Sequence, residues 1–240
     1  MANLTQLRML EDLDGFLLVD KPAGIAFSTV VKSVKRKFNL VKVGHGGSLD
    51  AAATGLLVLL INGANRYVGD VMGADRAYVG TLRLGVKTNT HDIQGEKVSC
   101  EGSAALSDEA ALQAALPEFR GDVFQTESSF CSVRREGSAL YEIANTGAHK
   151  PFMAHVYRFD VTSFNPPTAG FEIVATKGLL VKTLVNDLGD SLGCGACLET
   201  LRRTKVGRFD VADSIAFDRL LETDIKDFAT CVKPLATALR

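Results

Sequence analysis

A glycine-rich segment that ends in an aspartate is the part of this sequence best suited to carry chemistry. Residues 44–55 read GHGGSLDAAATG, and Asp50 supplies the carboxylate. Glycines let the backbone approach a bulky ligand closely or adopt a positive φ. The Gly-Lys-Ser/Thr ending of a nucleotide-binding P-loop is missing, which excludes that class of loop. Asp50 could simply cap a turn or helix, or it could be a nucleophile or general base beside a cationic partner.

Basic residues are concentrated in three runs along the sequence, and the first of them precedes the glycine-rich segment. The whole chain carries 27 basic and 28 acidic residues, and a net charge of −1 is not that of a strongly basic nucleic-acid-binding domain. One basic run by itself is typical of a solvated helix face, whereas three together favour a phosphate-binding surface. The runs contain Lys32, Lys35, Arg36, Lys37 and Lys42, then Arg134 and Arg135, then Arg202, Arg203 and Lys205.

Composition indicates a globular chain, and the spacing of its cysteines does not favour a metal site. The 240 residues are 46% hydrophobic and 23% charged, enough for one large domain or one domain with an appendage. No apolar run reaches membrane-spanning length and no signal pattern opens the chain, so we expect a cytoplasmic protein. Cys194 and Cys197 form the only C-x-x-C, which lacks the second ligand pair of a zinc site. We therefore expect buried cysteines rather than a metal or redox site.

Hydrophobic patterning predicts an α+β fold with a mixed, largely antiparallel central sheet flanked by helices. Strands and helices intermingle without strict βαβ alternation. Tyr157, Phe159 and Val161 alternate with polar residues and predict a half-buried strand, paired through Pro166-Pro167 with residues 171–175 as an antiparallel hairpin. Ser28 is a candidate N-cap. Further strands are predicted at 15–20, 55–61, 77–84 and 202–209, and helices at 28–38, 107–116, 137–146, 181–192 and within 213–240.

Six segments resemble, in the same order and with similar spacing, the motifs of TruB-type tRNA pseudouridine synthases. The resemblance covers residues from about 15 to about 209, and the succession of motifs makes it specific. The segments are GFLLVDKPAG at 15–24, GHGGSLDAAATG at 44–55, RAYVGTLRLG at 76–85, the stretch 119–142, TKGLLVKTL at 176–184 and LGCGACLETLRR at 192–203.

The resemblance implies a pseudouridine synthase fold and a cofactor-free isomerase. Such an enzyme converts a uridine in the tRNA T-loop, position 55, to pseudouridine. Asp50 would be the catalytic aspartate and Tyr78 the aromatic residue that stacks on the extruded base. His45 would help to fill the space that the base leaves, Lys21 would stand at the edge of the active site, and Leu201 would form an apolar wall of the uracil pocket.

Several positions depart from the family pattern. Lys182 stands where the family has an arginine that forks onto the catalytic carboxylate, and we predict that it still pairs with Asp50. Leu180 replaces a tyrosine of the base pocket, and Ala51 replaces a proline. Ser128-Ser129 replaces Pro-Pro before an aromatic residue. We expect Leu180 and Arg134 to contact the substrate.

These departures leave two hypotheses open. The chain is an active but divergent synthase, or it is a non-catalytic or weakly catalytic RNA-binding or tRNA-folding protein on the same fold. The expected partner is the T-arm of tRNA, bound by a monomer, with neither a membrane nor a metal involved. We predict a catalytic domain at residues 1–209 and a short helical extension at 210–240, too short for the C-terminal PUA module of many family members.

Overall fold

The computed structural model describes residues 10, 13–98, 108–125 and 152–238. Its strands are β1 (Gly15–Lys21), β2 (Val43–His45), β3 (Thr54–Ile61), β4 (Arg76–Leu84), β5 (Lys87–Thr88), β6 (Lys97–Val98), β7 (Gly121–Gln125), β8 (Phe152–Asn165), β9 (Thr168–Ala175), β10 (Ala196–Val206), β11 (Phe209–Asp210), β12 (Ile215–Ala216) and β13 (Val232–Pro234). Its α-helices are α1 (Phe27–Lys37), α2 (Val68–Gly73), α3 (Glu109–Ala115), α4 (Val181–Ser191), α5 (Phe217–Glu222), α6 (Phe228–Cys231) and α7 (Leu235–Ala238), and 3₁₀ helices span Asn62–Tyr67, Leu116–Phe119 and Val211–Asp213.

The chain divides into two compact units. The first unit comprises Met1–Arg76 and Arg202–Arg240, and the second comprises Ala77–Leu201. Each contains helices packed on strands that are mostly antiparallel, so the predicted α+β class is confirmed. No helix within the described ranges is both long and apolar enough to cross a membrane. The predicted division at residues 209 and 210 stays a prediction.

Strand β3 is the centre of the first unit. It pairs antiparallel with β1, from Gly15 opposite Ile61 to Lys21 opposite Gly55, and parallel with the end of β10. Both strands are continuous apolar runs because both faces of the sheet are covered. On one face Leu17, Val19, Leu57, Leu59 and Ile61 pack with residues of α1, α5 and α6. On the other face Phe16, Leu18, Leu56, Val58 and Leu60 pack with Ala64, Val71 and Phe209.

Helix α1 buries one face and exposes the other. Val30, Val34 and Phe38 are buried, as the helical spacing predicts. The helix begins at Phe27 after Ala26, whose side chain makes no cap hydrogen bond. The predicted N-cap at Ser28 is therefore wrong, because the helix begins two residues earlier than that cap requires.

The second unit is built on the long β8–β9 hairpin. These strands pair antiparallel around Pro166-Pro167, as predicted, and β7 pairs with β8. On the side away from β8, strand β9 lies next to β4, and β4 lies next to the first part of β10. Helix α4, predicted from its apolar spacing, packs Leu184, Val185 and Leu188 into the core of this unit.

The predicted alternation of buried and exposed side chains along β8 is wrong at Tyr157. It is 53% exposed, whereas Val156 and Phe159 are buried. The register of β8 against β9 shifts between Val156 and Arg158, which marks a β-bulge or similar irregularity. An extra residue in a bulge reverses the facing of its neighbours, so the period of two breaks at Tyr157.

Two further predictions need correction near the C-terminal end. Strand β10 begins at Ala196, six residues before the predicted start of a strand at 202. The region 213–238, predicted to be helical, holds three short helices together with strands β12 and β13, which pair with β1. The predicted helix at 137–146 lies outside the described residues.

Candidate active site

Arg203 fixes the glycine-rich segment of the first unit. The residue is 2% exposed, and its guanidinium donates to three backbone carbonyls. Nε donates to the Leu56 oxygen at 2.8 Å, Nη1 to the Ser48 oxygen at 2.8 Å and Nη2 to the Gly47 oxygen at 3.2 Å. The planar fork thereby ties the loop before Asp50 to strand β3. A lysine at this position has one donor nitrogen and could not replace three donors that stand at three separate atoms of the guanidinium.

Arg76 supports the same loop from a second side. It is 7% exposed, and its Nη2 donates to the Gly46 and Met72 oxygens, both at 3.1 Å. Its Nη1 donates to the Ala74 oxygen. The carbonyls of Gly46, Gly47 and Ser48 thus all accept from buried guanidinium groups, and the segment that carries Asp50 is held from within the fold.

Two glycines are required by this arrangement. Gly47 has a φ of +128°, and a Cβ there would lie 3.0 Å from Nη2 of Arg76. Gly55 has a φ of +100°, and a Cβ there would lie 2.3 Å from the backbone oxygen of Arg203. L-residues with side chains rarely adopt such φ values, so both glycines permit the loop conformation and the close approach of β10.

Lys21 is wholly buried next to the backbone of this loop. Its Nζ donates to the Pro22 and Ile25 oxygens at 2.8 Å each and to the Ala51 oxygen at 3.1 Å. Three carbonyls thus accept from the three protons of one ammonium group. Burial lowers the pKa of Lys21 from 10.5 to about 8, the Asp50 carboxylate opposes this shift, and Arg203 adds to it. Lys21 therefore remains mostly charged at neutral pH, next to the residue that follows Asp50.

The depressed pKa of Lys21 predicts a pH-dependent contribution to stability. Below pH 8 the lysine is protonated in both the folded and unfolded states, so the cost of burying its charge is present in full. Between about pH 8 and 10.5 the unfolded state binds more protons, and the free energy of unfolding gains about 1 kcal/mol per pH unit from this group. Denaturant unfolding at several pH values should show this gain in wild type and not in Lys21→Met. A difference between the two proteins that stays constant with pH would contradict it, and Lys226→Met, at an exposed lysine, is the control.

His45 is a neutral, partly buried imidazole at the end of β2. Burial, and after it the charge of Arg203, lower the pKa of His45 below its usual 6.5. The Gly47 N–H points at Nδ1 at 3.3 Å, which places the proton of the neutral ring on Nε2. The Phe27 ring lies 4.9 Å away and tilts by 57°. His45 therefore presents a flat, uncharged ring near the loop.

Asp50 is exposed and follows the buried Leu49. Its backbone oxygen accepts from the Ala53 N–H at 3.2 Å, so the aspartate begins a turn. The first unit thus places three of the predicted site residues in one neighbourhood: Asp50, with Lys21 as an electrostatic neighbour, and His45 on the same glycine-rich segment. An exposed carboxylate on a segment held by buried cations can act on a bound molecule as a nucleophile or a base.

The other predicted residues that the structure describes belong to the second unit. Tyr78 is 7% exposed on β4 and joins the core of that unit, and Leu201 packs partly against the same core. Leu180 precedes α4, and both its N–H and its oxygen bond to the side chain of Gln125, at 2.9 and 3.0 Å. Lys182 lies in α4 with Nζ 3.6 Å from Oδ2 of Asp92. Its predicted pairing with Asp50 stays a prediction, and Arg134 lies outside the described residues.

Sequence reasoning missed the residues that, within each unit, hold the predicted site residues or their segments in place. Arg203 was noticed only as part of a basic run, and Arg76 only as the first letter of a motif. Asp92 and Gln125, which hold Lys182 and Leu180, had no distinguishing signal in the sequence. All four act through partners that are distant along the chain, which a local pattern does not report.

Within the third basic run, the burial of Arg203 removes that residue from the expected phosphate-binding surface, and the other two basic residues form ion pairs. Arg203 is buried, and Arg202 makes a two-pronged contact with Asp20 at 2.9 and 2.6 Å. Lys205 pairs with Asp210 at 3.3 Å.

The two cysteines of the C-x-x-C, at positions 194 and 197, are also buried.

Two family models match consecutive parts of the chain, which together span residues 35–240. Residues 35–181 match the family described as TruB family pseudouridylate synthase, N-terminal domain. Residues 182–240 match the tRNA pseudouridylate synthase B C-terminal domain.

Two relatives are similar over most of their length. A protein of Opitutus terrae named tRNA pseudouridine synthase B is 38% identical over 213 residues, 88% of this chain and 88% of that protein. A protein of the same name from Stutzerimonas stutzeri is 35% identical over 216 residues, 89% of this chain and 70% of that protein.

Solved structures share the fold. A Cbf5–Nop10–Gar1 complex contains a chain with a TM-score of 0.73 and 24% identity, and an H/ACA RNP bound to a substrate RNA contains one with a TM-score of 0.71 and 23% identity. Each match covers 97% of this chain but only 63% and 62% of those chains, so it indicates the architecture alone. From the family matches and the relatives, the chain belongs to the TruB family of pseudouridylate synthases.

Proposed function

We propose that this chain isomerises the uridine at position 55 in the T-loop of tRNA to pseudouridine, with Asp50 as its catalytic carboxylate. The observation that carries the proposal is an exposed Asp50 on a segment anchored by buried Arg203, in a chain of the TruB family. The relatives named tRNA pseudouridine synthase B support tRNA as the RNA that is modified.

The reaction needs little beyond a positioned carboxylate. The N1–C1′ bond of uridine breaks, the uracil rotates, and C5 joins C1′. The proton that C5 loses is balanced by the one that N1 gains, so no oxidant or reductant is consumed. Asp50 could attack the sugar, attack the base or abstract a proton, and each of these roles requires a carboxylate that reaches the nucleotide.

Access to the nucleotide requires base flipping. A uracil inside the folded T-loop is stacked, and its extrusion costs a few kcal/mol. We propose that Tyr78 stacks on the flipped base, which would recover about 1–3 kcal/mol. The flat, neutral ring of His45 suits it to fill the space that the base leaves, since a charged imidazolium would be costly among stacked bases.

The remaining roles follow the family positions. Lys182 is proposed to supply positive charge to the reaction, Leu180 and Leu201 to form apolar walls for uracil, and Arg134 to contact the RNA. Lys21 is proposed to hold the backbone at Ala51 and so to orient Asp50. We further propose that the T-arm is the part of tRNA that is recognised and that the chain acts as a monomer in the cytoplasm.

Pseudouridine mapping on an unmodified tRNA transcript tests the function. After incubation with wild-type protein, carbodiimide treatment and primer extension should give a stop that reports pseudouridine at position 55. A transcript with cytidine at that position should give none. If wild-type protein yields no pseudouridine under conditions in which a standard TruB synthase works, the proposal fails.

A further inference from the structure

Of the two basic runs that the structure describes, the first keeps most of its charged side chains exposed. Lys32, Lys35, Arg36 and Lys42 are all exposed, and their sequence neighbourhood contains no acidic residue between Asp20 and Asp50. Within the described ranges, no carboxylate forms an ion pair with any of the four side chains. This contrasts with the run at 202–205, whose basic groups are buried or paired.

The helix places the first three of these charges together. Lys32, Lys35 and Arg36 are spaced i, i+3 and i+4, so they share one face of α1, opposite the buried Val30 and Val34. Lys42 follows the helix, and its backbone is fixed by Asn62, which accepts from the Lys42 N–H at 3.1 Å. We refer to Lys32, Lys35, Arg36 and Lys42 as the α1 basic face.

Local stability does not account for this face. Basic residues in the last turn interact favourably with the helix dipole, by about 0.3–1 kcal/mol each, but Lys32 lies in the middle of α1 and Lys42 lies beyond it. Lys37, by contrast, has a structural role because it donates to the Leu221 oxygen. Like charges at positions 32 and 36 repel each other by about 0.2–0.5 kcal/mol. A bound anion would relieve this repulsion and add attraction of its own.

The position of the face indicates which anion. Phe27, at the start of α1, contacts His45 on the segment that leads to Asp50. With a rise of about 1.5 Å per residue, Lys32 lies about 8 Å and Arg36 about 14 Å along the helix from that contact. This separation suits phosphates of neighbouring nucleotides and not the reacting base itself.

We propose that the α1 basic face binds the phosphate backbone of the RNA substrate beside the target nucleotide. The inference rests on the proposed function for the identity of the RNA. The contacts would be sequence-independent, since ammonium and guanidinium groups bind phosphate oxygens without reading bases. They would add affinity and orientation, and the chemistry would remain with the residues near Asp50.

The salt dependence of tRNA binding tests the proposal. The triple variant Lys32→Gln, Lys35→Gln and Arg36→Gln removes three phosphate contacts. The slope of log affinity against log salt should become shallower by about two to three, and affinity should fall on the order of tenfold or more. The matched control changes the paired lysines Lys205, Lys226 and Lys233 to Gln, for the same loss of charge. Its slope should change by less than about one.

The outcomes separate this inference from the proposed function. If the triple variant keeps the wild-type slope, or if both triple variants change it equally, the α1 basic face does not bind RNA phosphates. If the triple variant loses binding to phosphatidylserine vesicles while its tRNA slope is unchanged, the face binds lipid and the inference is overturned. If wild-type protein makes no pseudouridine but the salt slopes of the two triple variants differ as expected, the proposed function is refuted and the inference about the α1 basic face is supported. In an active enzyme the triple variant should raise KM and leave kcat near wild type.

Discussion

Asp50→Asn is expected to abolish pseudouridine formation while the fold and tRNA binding persist. Asparagine has nearly the same shape as aspartate, but its neutral amide can neither attack a carbon atom nor take up a proton effectively. Removal of a group that acts directly in the chemistry lowers kcat on the order of 10³-fold or more. Asp50 is exposed, so the nearly isosteric substitution creates no cavity and no steric clash in the core. Single-turnover assays with mapped pseudouridine, together with tRNA binding and circular dichroism, measure the three quantities.

The control for Asp50→Asn is Asp213→Asn. Asp213 is an exposed carboxylate of the same unit that pairs with Lys233 at 2.8 Å. Loss of that surface ion pair should change stability by less than about 1 kcal/mol and leave activity unchanged. If Asp50→Asn retains pseudouridine formation near the wild-type rate, Asp50 is not the catalytic carboxylate. If neither wild type nor Asp50→Asn forms product and both bind tRNA equally, the non-catalytic RNA-binding hypothesis gains.

Arg203→Lys is expected to impair both stability and turnover, although the charge is kept. The buried guanidinium donates to the oxygens of Leu56, Ser48 and Gly47, and an ammonium in its place would leave at least one buried carbonyl without a donor. Such a loss costs about 1–3 kcal/mol. Because the same bonds position the loop before Asp50, a displacement of about 1 Å could lower kcat on the order of 10²-fold. Thermal unfolding and single-turnover kinetics measure these effects.

Arg202→Lys provides the matched control for Arg203→Lys. The two arginines are neighbours on β10, but Arg202 pairs with Asp20 and its side chain is 38% exposed. An exposed pair contributes about 0–1 kcal/mol, so Arg202→Lys should retain nearly wild-type stability and turnover. Equal effects of the two substitutions would show that the loop is not held by the carbonyl contacts of Arg203.

Much of the secondary structure could be predicted because local patterns report burial. The continuous apolar runs at 15–20 and 55–61 predicted strands, and β1 and β3 form there with both faces of the sheet covered. Apolar residues at helical spacing predicted α4, and alternation around Pro166-Pro167 predicted the β8–β9 hairpin. These features depend on hydrophobic periodicity and on turn-forming residues. Both can be recognised from residues that lie close together in the sequence.

Local patterns failed where a single irregularity or a distant pairing decides the outcome. The exposure of Tyr157 depends on a register shift in the pairing of β8 with β9. The residue types near Tyr157 do not predict this shift. The segment after 213 forms short helices because β12 and β13 pair with β1, about 200 residues earlier in the chain. A strand pairing of this kind is decided by the partner strand and not by the segment's own propensity.

The family, the α+β class and a short set of candidate residues led by Asp50 could all be read from the order of the amino acids. The role of each cation could not, because it depends on contacts made in the folded chain. Arg203 binds carbonyls of a loop up to 156 residues away, Lys21 is enclosed by three carbonyls, and the α1 basic face is left to solvent. The physical reason is that a charge type is fixed locally, whereas its burial and its hydrogen-bond partners come from chain segments that meet only in the folded state.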